Sequence, residues 1–360
     1  MANDSYSIKQ LEEYKVFLPP AGASARPGVE ERRAARIKRN NDFIQSIEPT
    51  APKMHITGSF IYAHPPNYRG AETLHWTQED WKRELTRLKG YGIDTVIFQA
   101  SLWAELEECY YPSQLFKGFK NWNVVEPMLA AAKELGLVVY LGGYGSVTCW
   151  RERLSGQMIQ EEIQRQVGCF KELLRYRASF DGFYFSPESA YIGKRDEELE
   201  DFLGDLYHGF FSEIRNADSR LKILMSPATI YHKDAMGDMR DAWCRVFAKD
   251  HPDILAPQDS IGCGCITLDR QDEAFKIWRS VADARQIELW SNVEDFECCA
   301  PYYDETSRRA AAPERIIAQI NNAAPYVSKL ISWELLYYGN AKLHPAGIPM
   351  IKALFPQSQD

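Results

Sequence analysis

Eight short apolar runs, each followed by a stretch with helical spacing, constrain this chain more than anything else in it. They begin near His55, Ile93, Leu137, Phe180, Lys222, Asp253, Ile287 and Lys329. Examples are LVVYLGGYG from Leu137 and KLISWELL from Lys329. Their apolar residues are near-continuous rather than alternating, the pattern of parallel strands covered on both faces. The starts lie roughly 30 to 45 residues apart, which leaves room for one strand, one helix and two loops.

The intervening segments carry apolar residues at three and four spacing, as in Trp81, Leu85, Leu88 and Tyr91, or Ile159, Ile163, Val167 and Phe170. Thr77-Gln-Glu-Asp80 reads as a capping box with Asp in the last place, and Pro313 stands in the first turn of the helix before the last run. Gly90, Gly92 and Gly136 read as helix stops. Strict alternation argues an α/β fold. Eight units predict a closed (β/α)8 TIM barrel over 54–360, with a doubly wound sheet as the alternative. Residues 1–53 form an N-terminal extension. It holds a loop, Pro19–Gly28, and a charged amphipathic helix, Glu30–Ile47, with Ala34, Ile37, Phe43 and Ile47 near one face. This helix reads either as packed beside or beneath the barrel, or as an arm reaching a neighbouring subunit of a homo-oligomer.

A chain of 360 residues, 45% hydrophobic, can bury one large core. Its net charge of −8 excludes the basic footprint of a nucleic-acid binder. No apolar run approaches membrane-spanning length. The start, MANDSYSIKQ, lacks the pattern of a signal peptide, and the eight cysteines read as reduced thiols. A cytoplasmic location is therefore expected.

Barrel enzymes place their chemistry at the C-terminal ends of the strands. The polar and aromatic residues expected there are Gln99, Trp103, Tyr144, Glu188, Gln258, Asp259, Trp290, Asn292, Glu294, Trp333 and Glu334. Aromatic faces stack on sugar C–H surfaces, and amides and carboxylates accept from sugar hydroxyls. Glu188 and Glu294 follow the fourth and seventh runs and would face one mouth. Two carboxylates across a sugar-sized cleft are the minimum equipment for breaking a glycosidic bond. The bland reading of Glu188 is a loop carboxylate pairing with Lys194 or Arg195. For Glu294, Asp295 and Glu297 compete in the same loop. Asp259 could instead be a backbone cap, and Glu334 is a rival second acid. There is no glycine-rich phosphate loop, no dinucleotide fingerprint and no zinc spacing among the cysteines and histidines. No metal or cofactor is expected.

The segments HITGSF from His55, GFYFSPE ending at Glu188, ILAPQDSIG ending at Gly262 and WSNVEDFE ending at Glu297 resemble a bacterial family of barrel proteins grouped with the glycoside hydrolases. The similarity runs over roughly residues 54 to 340. It implies a (β/α)8 fold and a glycosidase-like site with Glu188, Asp259 and Glu294 as its acidic core. Acids after strands four and seven also resemble a large clan of retaining glycosidases, in which Asn often precedes the first acid; here Pro187 stands there. The expected activity is hydrolysis of an oligosaccharide or glycoside, with Glu188 as general acid and Glu294 as nucleophile or base. The alternatives are a non-catalytic carbohydrate-binding barrel and a sugar lyase or isomerase.

Overall fold

A computed structural model describes residues 29–48, 50–63, 70–150, 154–189, 195–229, 236–299 and 308–357. The loop Pro19–Gly28 and Lys194 lie outside them. After helix α1 (Val29–Ser46), eight parallel strands alternate with eight helices. The strands are β1 (Ile56–Ile61), β2 (Thr95–Phe98), β3 (Val138–Gly142), β4 (Gly182–Phe185), β5 (Lys222–Met225), β6 (Ile254–Leu255), β7 (Glu288–Glu294) and β8 (Lys329–Trp333). The helices that follow them in turn are α2 (Gln78–Gly90), α3 (Val125–Glu134), α4 (Gly156–Leu173), α5 (Glu197–Ala217), α6 (Met236–Val246), α7 (Leu268–Arg285), α8 (Pro313–Ala323) and α9 (Ile348–Leu354). Each strand pairs with its sequence neighbours, and β8 pairs back onto β1, closing the barrel. Closure excludes the doubly wound sheet.

The local signals operate as chemistry requires. The Asp80 amide donates to Thr77 Oγ1 at 3.2 Å, and the Thr77 amide to the Asp80 carboxylate at 2.9 Å, completing the capping box of α2. Gly92 and Gly136, just past α2 and α3, take left-handed φ values of 90° and 65°, where a Cβ would be strained.

The barrel is plugged, not hollow. Phe60, Ile97, Tyr140, Tyr184, Leu224, Ile254, Trp290 and Ile331, one from each strand, pack into a single buried cluster. Two residues further along several strands the inward positions turn polar: Gln99, Ser186, Ser226 and Asn292, with Gln258 four residues beyond Ile254. Side chains alternate along a strand, so this switch puts an apolar floor under a polar mouth.

Helix α1 packs against its own barrel. Asn40 Oδ1 accepts from the Leu268 amide at 2.8 Å, and Arg36 donates to the Gly264 carbonyl at 3.1 Å. Phe43 and Ile44 lie on Ile261, Ile266, Leu268 and Ala318. The helix thus sits beside the barrel, over α7, α8 and the turn that follows β6. Among the described residues no helix is long and apolar enough to cross a membrane. None of the eight cysteines forms a disulfide.

Candidate active site

Glu188 lies three residues beyond β4 and Glu294 ends β7, so both side chains leave the C-terminal rim. Glu188 is half-buried and Glu294 is 3% exposed. Burial pushes the Glu188 carboxyl up to about 7, the nearby Glu294 charge adds to the rise, and hydrogen-bonded Gln258 opposes it. The two carboxyls therefore share one electrostatic environment. Arg195 does not take Glu188; it forms a two-pronged pair with Glu200 at 2.7 and 2.8 Å.

Burial also raises Glu294, against four opposing influences: the Cys263 amide and thiol, Arg308 and Arg315. The Cys263 amide donates to its Oε2 at 2.8 Å. The neighbouring acids are committed elsewhere. Glu297 pairs with Arg309 at 2.5 Å, and Asp295 accepts from Ser332 at 2.7 Å, its carboxyl lifted by burial to about 7.

Asp259 sits behind the mouth, 1% exposed. Its Oδ1 accepts from the Ile261 and Glu294 amides at 3.3 Å each, and its Oδ2 accepts from Gln319 at 2.5 Å. Burial, then the Glu294 charge, pushes its carboxyl up to about 7. The carboxylate ties the end of β6 to the end of β7.

The remaining sequence-derived candidates divide. Gln99 Oε1 and Asn292 Oδ1 are buried with no hydrogen-bond partner among the described residues, as is Ser186 Oγ. Buried polar atoms without partners are rare, and these lie at the inward polar level of the mouth. Asn292 Nδ2 donates to Ser226 at 3.1 Å, leaving its oxygen toward the site. Trp333 is half-buried, its ring centroid 5.0 Å from Phe60 and 6.4 Å from Tyr62.

Trp290 lies deeper than the sequence reading placed it. It belongs to the apolar plug, and its indole donates at 2.8 Å to Glu288, the first residue of β7. Lys329, which opens β8, lies 5.5 Å from its ring, so the side chain leans to the bottom of the barrel. Glu334 is fully buried, accepting from Tyr62 Oη at 3.3 Å and the Tyr337 amide at 3.0 Å, and is raised well above an ordinary carboxylate by burial. These bonds place Glu334 in a buried hydrogen-bond network with Tyr62 and the Tyr337 main chain. Trp103 and Tyr144 lie on adjacent short strands, Leu102–Trp103 and Tyr144–Gly145, of a small sheet in which Leu102 pairs with Tyr144 and Trp103 with Gly145. Tyr144 is 4% exposed with its ring 5.6 Å from Phe116, and Trp103 is 7% exposed; both belong to the main buried core.

Two residues escaped the sequence reading. Arg308, on the short strand Arg308–Ala310, stacks its guanidinium 4.2 Å from the Phe296 ring and acts on both Glu188 and Glu294. Arg315 is buried beneath Glu294. No cluster that could hold a metal occurs among the described residues.

The profile of a family described as "domain of unknown function (DUF4434)" matches residues 56–342. The chain belongs to the DUF4434 family. Its matched region runs from β1 to past β8 and leaves α1 outside. No curated protein sequence matches this DUF4434 barrel. Solved structures do. One is a Bacteroides thetaiotaomicron protein provisionally described as an alpha-L-fucosidase, 20% identical, covering 87% of this chain and 95% of its own, with a TM-score of 0.69. Another is an exo-beta-1,4-mannosidase from an Opitutaceae bacterium, 12% identical over 87% of this chain and 62% of its own, with a TM-score of 0.51. A third is a beta-galactosidase from Marinomonas, 11% identical over 78% of this chain and 54% of its own, with a TM-score of 0.50. At such identities the likeness establishes a barrel fold shared with glycoside hydrolases.

Proposed function

We propose that this DUF4434 barrel is a glycoside hydrolase acting on an oligosaccharide or glycoside. The observation that carries the reading is the pair Glu188 and Glu294 at the ends of β4 and β7, close enough that the Glu294 charge helps raise the Glu188 carboxyl. Their environments differ in kind. Glu188 is lifted to about 7 and has Gln258 as its hydrogen-bonding neighbour. It is suited to carry a proton at neutral pH and give it to the glycosidic oxygen as that bond breaks. Glu294 meets a backbone N–H and two guanidinium groups. It is suited to remain a carboxylate and either attack the anomeric carbon or take a proton from attacking water.

Unpartnered Gln99 Oε1, Ser186 Oγ and Asn292 Oδ1 supply acceptors for sugar hydroxyls, and Trp333 an aromatic face. Asp259, closed off by its three protein donors, is read as holding the ends of β6 and β7 rather than touching substrate. A panel of chromogenic aryl glycosides and natural glycans tests the reading. Turnover that disappears in Glu294→Ala, and returns with azide as a glycosyl azide of inverted configuration, supports Glu294 as nucleophile. Tight sugar binding with no turnover across the panel would replace the hydrolase by a carbohydrate-binding barrel.

A further inference from the structure

The first turn of α8 carries a buried cation. Arg315 follows Pro313 and Glu314 and is 1% exposed. A positive charge in the first turn opposes the helix dipole, and burying a guanidinium opposes its hydration. Something must offset both. Arg315 Nη2 donates to the Glu294 carbonyl at 3.0 Å and to the Phe296 carbonyl at 2.5 Å. One turn on, Gln319 reaches the same Glu294 carbonyl at 3.2 Å and also Asp259. Positions i and i+4 share a helix face, so α8 grips the end of β7 with two side chains. Arg315 Nε and Nη1 have no hydrogen-bond partner among the described residues. The Glu297, Asp259, Glu294 and Asp295 charges surround the group.

We infer that Arg315 is a positioning residue for Glu294: its Nη2, shared between the Glu294 and Phe296 carbonyls, fixes the main chain that carries the carboxylate, and its charge favours the ionised form of that carboxylate. The inference rests on the glycosidase reading of the two acids. The other groups facing Glu294 are Asp259 at the end of β6, Glu188 beyond β4, Cys263 and Cys265 in the turn after β6, Cys298, and Arg308. Arg308 acts on both acids, so it cannot separate them; Arg315 acts on Glu294 and is not among the influences on Glu188.

The test is the pH profile of kcat/KM in Arg315→Gln and Arg315→Lys. Removing the charge should move the acidic limb up by about one pH unit and leave the basic limb, set by Glu188, in place. Lysine keeps the charge, but its compact, strongly hydrated ammonium does not reproduce the planar group that places Nη2 between the two carbonyls. It should keep the acidic limb and lose kcat by about tenfold. An unmoved acidic limb in a folded Arg315→Gln overturns the inference. A second measurement needs neither variant nor turnover: a 13C-NMR titration of the glutamate carboxyls in the wild-type protein, assigned with Glu188→Gln and Glu294→Gln. Glu294 should titrate below Glu188, and the reverse order overturns the inference. The expected order in a protein that hydrolyses no glycoside would support the charge assignment and sink only the glycosidase reading.

Discussion

The Cys263 amide donates to Glu294 Oε2 at 2.8 Å, and the glycine before it makes the approach feasible. A Cβ on Gly262 would stand 2.3 Å from the Phe296 carbonyl and 3.0 Å from Glu294 Oε2. The first of these atoms is main chain and cannot rotate away. Gly262→Ala should therefore displace the turn after β6. The expected cost is about 1–3 kcal/mol of stability, with kcat falling more than KM rises, because the displaced group is the carboxylate proposed to react. Denaturant melts beside Michaelis kinetics check this. Unchanged kcat in the alanine variant would mean that the Cys263 contact does not position Glu294.

The raised Glu188 has a stability consequence as well as a catalytic one. Its carboxyl moves from the ordinary 4.5 to about 7 because burial disfavours the charged form. The folded protein then holds a proton that the unfolded chain has released. Stability attributable to this group is unaffected below about pH 4.5, falls as pH rises toward 7, and stays reduced above. Glu188→Gln removes the ionisation and should stabilise the protein by roughly 1–3 kcal/mol at pH 8, but by almost nothing at pH 4. In the wild type the same titration should give kcat/KM a basic limb near pH 7. Urea melts of both proteins at the two pH values decide the matter; an equal gain at both would assign the effect to packing.

Much of this was legible in the sequence, for a reason visible in particular residues. Runs such as LVVYLG are apolar on both faces because helices cover the barrel outside and a plug fills it within, and that double burial is what a reader of sequence detects. The placement of Glu188 and Glu294 at the rim was legible because they close such runs. Depth was not. Trp290 and Asn292 lie on the same inward side of β7, yet the first fills the floor and the second the polar level above it. Only strand stagger decides which. Arg315 and Gln319 are two polar residues on the otherwise apolar buried face of α8, beside Ile316 and Ile320. That interruption was the available signal for the grip on β7, but a polar pair four residues apart on a helix ordinarily reads as solvent-facing.

Asn40 offers a test of α1. Thr267 precedes α7 but gives it no side-chain cap. The cap comes instead from Asn40, whose Oδ1 accepts from the Leu268 amide at a sequence separation of 228. Losing such a cap costs about 1 kcal/mol. Asn40→Ala should lower stability by that amount, and Asn40→Asp, which keeps the acceptor, should recover most of it. Because Arg36 also donates to the Gly264 carbonyl, in the turn that binds Glu294, hydrogen exchange in 260–268 should quicken in the alanine variant. Unaltered exchange there would confine α1 to a general packing role.

Asp259 separates a catalytic reading of the third acid from a structural one. Its oxygens are occupied by the Ile261 and Glu294 amides and by Gln319. Asparagine has the same shape and keeps one acceptor for the two amides. Its new NH2 would meet the Gln319 NH2, but Gln319 Oε1 has no partner among the described residues, so that amide can turn over and accept at the cost of its 3.2 Å bond to the Glu294 carbonyl. Asp259→Asn should therefore fold and retain kcat within about tenfold of wild type. Glu294→Gln should lose on the order of a thousandfold or more, since a carboxylate that acts on the reacting carbon has no amide substitute. Asp259→Ala should lose more than Asp259→Asn, through the freed backbone amides, and should not respond to azide, because no carboxylate next to the anomeric carbon has been removed. Azide rescue of Asp259→Ala with formation of a glycosyl azide would move the nucleophile from β7 to β6 and overturn the assignment of Glu294.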